Sequence, residues 1–248
     1  MIKLDKIPTT PPKGVTKKSL KKETEEIAER IGELQQLMFA ERKHSLLVVF
    51  QGMDSSGKDG ATRETFKYCS PGGVHAVGFK KPTDLEFAHD FLWRVHQQVP
   101  QKGMIKVFNR SHYEDVLVQR VHGWITEKRV KKRMAAINAF EDLLQFDNNT
   151  TVLKFYLHIS PERQLEKLTE RMNVKRKFWK HNDGDWEQRE HWDKYRKCYE
   201  YVLNNSTIPW TVVPVDERWY RNYFVAKKVL ETLEGMKMKF PPLKTEMK

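Results

Sequence analysis

GMDSSGKDG, Gly52 to Gly60, follows the apolar run Leu46 to Phe50 and opens a helix-compatible segment. Its spacing, G-x-x-x-x-G-K, belongs to a loop whose successive backbone N–H groups wrap an anion at a helix N-terminus while the lysine reaches further phosphate oxygens. Gly52, Met53, Ser55, Ser56, Gly57 and Asp59 then form a phosphate cradle, with Lys58 as a catalytic cation. One position departs from the pattern: Asp59 stands where most such loops carry the Ser or Thr that ligates magnesium, and a further acid, Asp54, lies inside the loop. Two acids in a phosphate cradle need a cation, so Asp54 and Asp59 are the expected ligands of Mg2+, with Mn2+ as the substitute.

The flanks fit a parallel α/β sheet. Leu46 to Phe50 is short and unalternating, as expected of a strand buried on both faces. Ala61 to Cys69 reads as a helix ended by Ser70, Pro71, Gly72 and Gly73, and Val74 to Phe79 as a second strand. Upstream, residues 1–18 are basic and carry Pro8, Pro11 and Pro12, which predicts an extended arm on the surface. Residues 19–44 place Leu20, Ile27, Ile31, Leu34 and Met38 at helical spacing, an amphipathic helix packing on its own sheet or, alternatively, on a second copy.

Downstream, Thr83 and Glu86 form a capping box before the helical stripe Leu85, Ala88, Leu92 and Val95, which stops at Pro100 and Gly103. Met104 to Phe108 is a third strand, and the residues after it, Asn109 to Asp115, are polar and charged at the strand's C-terminal edge, where open α/β sheets bind ligands. Arg110 is the expected phosphate contact. Neutral Asn109, where an acid commonly holds magnesium, shifts metal binding to the loop carboxylates. Thr126 to Phe146 is a helix with Met134, Ile137, Phe140 and Leu144 inward, Thr151 to Ile159 a fourth strand, and Ser160 and Pro161 start the next helix. Residues 171–189 are a basic run broken by Phe178 and Trp179, and its placement where nucleotide kinases carry a lid favours a mobile lid over the solvated face that most charge runs form. Trp210 to Val215 makes a fifth strand, Asp216 caps a last helix, and residues 236–248 form a basic tail. The whole, 1–248, reads as one three-layer α/β/α domain: a P-loop kinase fold with a five-stranded parallel sheet in 45–235 and a helical lid.

Composition narrows the partners. With 45 Lys+Arg against 33 Asp+Glu, the net charge of +12 attracts polyanions, and nucleic acid, an anionic membrane and a long phosphate chain all satisfy it. No apolar stretch approaches the ~20 residues that cross a bilayer, and the N-terminus lacks a secretory pattern. The two cysteines, Cys69 and Cys198, have no metal or redox spacing, so the expectation is a cytoplasmic protein. There is no H-E-x-x-H, no paired C-x-x-C and no G-x-S-x-G elbow, which leaves His112, His158 and His191 as structural or surface histidines and phosphoryl transfer as the chemistry. An ATP-dependent nucleotide kinase and a nucleic-acid-binding P-loop protein are the alternatives.

The loop, together with FNRSHYEDVLVQRVH at 108–122, KRKFWK at 175–180 and VDERWYRN at 215–222, resembles the family-2 polyphosphate kinases over nearly the whole chain. The N-R-S-H-Y-E-D stretch is similar to that of class III. The resemblance implies phosphoryl transfer from inorganic polyphosphate to AMP and ADP, and to guanine nucleotides, with magnesium, in a homodimer or homotetramer that binds neither nucleic acid nor membrane. By residue, it implies that Asp54 orients the attacking phosphate and that Lys58, Asp59 and Arg110 contact phosphate. Asn109, Glu114, Asp115 and Arg120 belong to the nucleotide and phosphate site, and Arg171, Lys177, Lys180, Asp185 and Arg189 to the lid. Asn173 and Val174 stand where that lid often has Asp-Pro, and Arg218 where the later segment often has Lys.

Overall fold

The computed structural model describes residues 1–243; of the expected basic tail, 244–248 lie outside the described residues. Five parallel strands, β1 (Ser45–Gln51), β2 (Val74–Gly78), β3 (Ile105–Asn109), β4 (Thr150–His158) and β5 (Trp210–Pro214), form one sheet in the order β2-β3-β1-β4-β5. β1 lies at the centre, in register with β3 (Val48 opposite Val107) and with β4 (Val48 opposite Leu153), and every one of its residues is buried. That double burial is why its sequence does not alternate. β2, at the edge, is mostly exposed.

One face of the sheet carries α1 (Lys17–Glu41), α2 (Lys58–Thr65) and α10 (Arg218–Gly235), with α1 packed along α10 and α10 against α2. The other carries α5 (Glu114–Val121), α6 (Glu127–Asn148) and α9 (Trp192–Asn205). The apolar stripe of α1 is spent inside the chain: Ile27, Ile31, Leu34 and Met38 are buried in the common core. Thr16 and Ser19 start that helix with a capping box, two residues ahead of the expected boundary. Met134, Ile137, Phe140 and Leu144 of α6 face inward as their spacing predicts.

Four expectations are corrected. The stripe from Leu85 to Val95 is two short helices, α3 (Asp84–Phe87) and α4 (Trp93–His96), because the Asp90 carboxylate accepts the Leu92 N–H and offers the backbone a turn in place of a helix. Leu85 and Phe87 are consequently exposed. Asp216 does not cap α10. Its two carboxylate oxygens accept from the Ser160 N–H (2.9 Å) and the Thr9 hydroxyl (2.6 Å), joining the arm, the start of α7 (Pro161–Asn173) and the end of β5. The N-terminal arm is more than a surface strap, since Leu4 is buried in the core and its carbonyl accepts from His158. The helix after the loop ends at Thr65, four residues short of Cys69.

Beneath the site, Lys154 in the middle of β4 is fully buried and donates to Glu141 (2.5 Å) and to the Tyr113 hydroxyl (2.7 Å). Glu141 also accepts from Tyr113 (2.8 Å) and meets the His112 ring (3.2 Å). Each charge has its partner inside the core, which is what makes burial tolerable. Glu141→Ala is expected to cost about 3–5 kcal/mol in urea denaturation, because it strands the Lys154 charge, and Lys154→Met in the same chain should recover part of the loss.

Candidate functional site

The loop leaves the end of β1 and feeds α2. Gly57, its N-cap, has φ 93°, and Ser55 takes the left-handed conformation as well, with φ 65°. This curls the chain so that N–H groups converge at the helix start. Lys58 folds its ammonium back over the loop, donating to the Gly52 carbonyl (2.8 Å) and the Met53 carbonyl (3.3 Å). Desolvation inside the loop, with the Arg110 charge adding to it, pushes the lysine down to about 8.

Arg110 enters from the neighbouring strand. It too has positive φ, 63°, held by its N–H to the Phe50 carbonyl of β1 (3.0 Å). A bulky residue in that region carries strain of order 1–3 kcal/mol, and such strain gathers at functional sites. The guanidinium bonds Asp54 and lies 3.5 Å from Glu114, and these two acids, Glu114 first, keep it firmly protonated. Asp59 points elsewhere: Asn109 donates to it (3.0 Å), and the Thr62 hydroxyl donates to Asn109 (3.0 Å). Asp54 and Asp59 are thus engaged by different partners, a basic one and a neutral one.

The segment expected to form a lid is α7, a 3-10 turn (Lys175–Lys180) and α8 (Asp183–Glu190). Arg171 pairs with Asp185 across it and also donates to the Lys180 carbonyl (3.1 Å). Lys177 pairs with Glu170, and Lys180 lies over the exposed Trp179 ring, 4.8 Å from its centroid. Arg189 of α8 donates to Gln164 (2.8 Å), whose amide donates to the Asp54 carbonyl (3.1 Å), so this segment is tied to the loop by a part-buried hydrogen-bond chain. A pocket of about 200 Å³ lies between them, lined by Asp54, Arg110, Glu114, Asp185, Tyr195 and Tyr199 among others. Arg120, by contrast, is committed to Glu127 (2.7 Å) and to the Tyr201 ring.

A larger cleft, about 780 Å³, opens beside an adjoining face of α5. Phe87, His89, Phe91 and Trp124 line it with Arg94, Arg133 and Asp115. The Asp115 carboxyl is pushed up to about 6 by burial, against the pull of Arg94 and Arg133, and its Oδ2 has no hydrogen-bond partner. Successive residues of one helix therefore serve two cavities, Glu114 the loop pocket and Asp115 the cleft. Gln164, Tyr195 and Tyr199 escaped sequence reading because nothing local marks them; they reach the pocket through the packing of α7 and α9. Arg94 was hidden by the misread helix.

The parallel sheet, the glycine loop at a helix N-terminus and the opposed arginine define a P-loop protein of the nucleotide-kinase type. Residues 14–241 match the family described as Polyphosphate kinase 2 (PPK2), and the chain belongs to that family. It is 46% identical over 219 residues, 87% of this chain and 82% of the relative, to an AMP/ADP-polyphosphate phosphotransferase of Meiothermus ruber. It is 37% identical over 228 residues, 86% and 78% of the two chains, to an ADP-polyphosphate phosphotransferase of Rhodopseudomonas palustris. The crystal structure of Polyphosphate Kinase 2 from Arthrobacter aurescens TC1 superposes with a TM-score of 0.95 at 36% identity, covering 99% of this chain and 90% of that one.

With Lys58 as the cradle's cation, the expected outcome is that affinity for tripolyphosphate holds below about pH 8 and falls above it, well before an exposed lysine would titrate. Calorimetric titration across pH checks this, and in Lys58→Arg the fall near pH 8 should become clearly smaller.

Proposed function

We propose that the protein transfers the terminal phosphoryl group of inorganic polyphosphate to AMP and ADP, and to GMP and GDP, forming nucleoside triphosphates without a covalent intermediate. The observation that carries this reading is the Arg110 guanidinium, held by Asp54 and Glu114 at the loop and followed in α5 by Asp115, which faces a cleft of about 780 Å³, roomy enough for a nucleoside. The names borne by the relatives support the same reaction.

An oxygen of the acceptor phosphate attacks the terminal phosphorus of the polyphosphate, the bond to the bridging oxygen breaks, and the donor leaves one phosphate shorter. Such a transfer asks for positioning and charge neutralisation. Lys58 and the loop N–H groups neutralise phosphate oxygens, and Arg110 stabilises charge on the moving group, with Asp54 orienting it. The lid, tied through Gln164, keeps water from the reacting phosphate. In the cleft, an aromatic wall takes the base and Asp115 accepts a hydrogen bond from the nucleoside, while the nucleotide phosphates run past Asn109 toward the loop.

The donor set suits magnesium: hard carboxylate oxygens at Asp54 and Asp59, for an ion that takes most of its ligands from phosphates and water. Bound there by Asp54, with Asp59 nearby, it would neutralise charge between donor and acceptor phosphates. Among the described residues no helix is long and apolar enough to cross a membrane; the proposed place of action is the cytoplasm. A homo-oligomer, and no use of nucleic acid or membrane, complete the proposal.

Incubation with polyphosphate, magnesium and AMP, followed by phosphorus NMR, should show ADP and then ATP appearing as the chain shortens; unchanged AMP overturns the reading. Asp115→Asn should raise the nucleotide KM about tenfold, the worth of a charge-assisted hydrogen bond, and leave the polyphosphate KM in place.

A further inference from the structure

Arg221, on the first turn of α10, is only 5% exposed and forms no ion pair with any carboxylate among the described residues. Its Nε and Nη2 donate to the side chain of Asn222 (3.1 and 2.7 Å), its own neighbour, and Nη1 has no hydrogen-bond partner among the described residues. The guanidinium lies directly on the phosphate loop. A Cβ on Gly57 would meet its Nη1 at 1.9 Å, and one on Gly60 its Nη2 at 2.8 Å. The positive φ favours glycine before Lys58, and the arginine fills the space that a side chain there would take.

A buried guanidinium without a carboxylate is costly to keep if its only task is to staple α10 to α2, since an apolar side chain would do that without desolvating a charge. Planted at an anion-binding helix N-terminus, it has a counterion whenever the loop holds phosphate. The surroundings point the same way. Burial and the neighbouring Arg218 and Arg63 lower Arg221 to about 10 against the pull of Glu64, and burial with Arg218 and Arg163 lowers Lys167 on α7 to about 8 against that of Glu170, so on this flank burial and like charge outweigh the nearby acids. The flank lies opposite Arg110 and the aromatic cleft, because α10 follows β5 and Arg110 follows β3, on either side of β1.

We propose that Arg221 is a phosphate-binding residue for the donor, its free Nη1 edge completing the cradle from the α10 side, with Arg218 and Lys167 extending the site to phosphates further along the chain. This rests on the donor being polyphosphate, as proposed above. The division of the site follows: the acceptor enters over α5, the donor over α7 and α10, and the loop with Arg110 lies between them.

The test compares wild type with Arg221→Gln, Arg221→Lys and the exposed Arg218→Gln, each checked for folding by circular dichroism. It measures tripolyphosphate binding by calorimetry and the KM for nucleotide, tripolyphosphate and long-chain polyphosphate. Arg221→Gln is expected to weaken both polyphosphates at least tenfold and to move the nucleotide KM by less than twofold. Arg221→Lys should recover part of the affinity, and Arg218→Gln should weaken the long chain more than tripolyphosphate. Equal polyphosphate KM in Arg221→Gln, or unchanged long-chain KM in Arg218→Gln should the former not fold, overturns the assignment while leaving the donor in place. A nucleotide KM that rises instead puts Arg221 on the acceptor side and also overturns it. If wild type binds no tripolyphosphate, the donor reading itself fails, and the assignment with it.

Discussion

The convergence of backbone N–H groups at the start of α2 is the constraint on which the rest of the site depends. An anion can be held there only if the loop is curled by left-handed residues and if the strand feeding it does not move. β1 meets the second condition by being buried on both faces and bonded to a neighbour on each edge. Gly57 and Ser55 meet the first. The charged groups then arrive from different elements, Arg110 from the end of β3 and Arg221 from α10, and neither has freedom to wander.

Arg110 shows how such a placement is secured. Its backbone is strained, and the two residues after it, Ser111 and His112, are wholly buried. Ser111 accepts from Gln51 at the end of β1 (3.0 Å), while His112 and Tyr113 engage Glu141, which in turn holds Lys154. The turn is bolted to a polar network inside the core, so a residue that must carry charge at the surface is supported by charges that never see solvent. A network satisfied in this way rigidifies and selects one arrangement.

The lid has the opposite character. Its basic residues are exposed or paired locally, as Lys177 with Glu170, and its connection to the loop runs through Arg189 and Gln164. A few hydrogen bonds of this kind can be made and broken at modest cost, as the proposed lid would require.

The strands, the loop and the capped helices were legible in the sequence because each is announced by short-range chemistry: an unalternating apolar run, glycines at fixed spacing, Ser160 before Pro161. The helical stripe at 85–95 misled because Asp90 makes a local bond that periodicity does not register. Asp216 misled because its partners, Thr9 and Ser160, are distant in sequence. By itself the sequence determined the fold class and the anion-binding loop, with Asp54, Lys58 and Arg110 around it. Only the tertiary structure decided which acid pairs with which base, that Glu114 and Asp115 face different cavities, and that a buried arginine of α10 lies on Gly57. The physical reason is range: backbone conformation answers to neighbouring residues, whereas charge pairing and desolvation answer to whatever packing brings within a few ångströms.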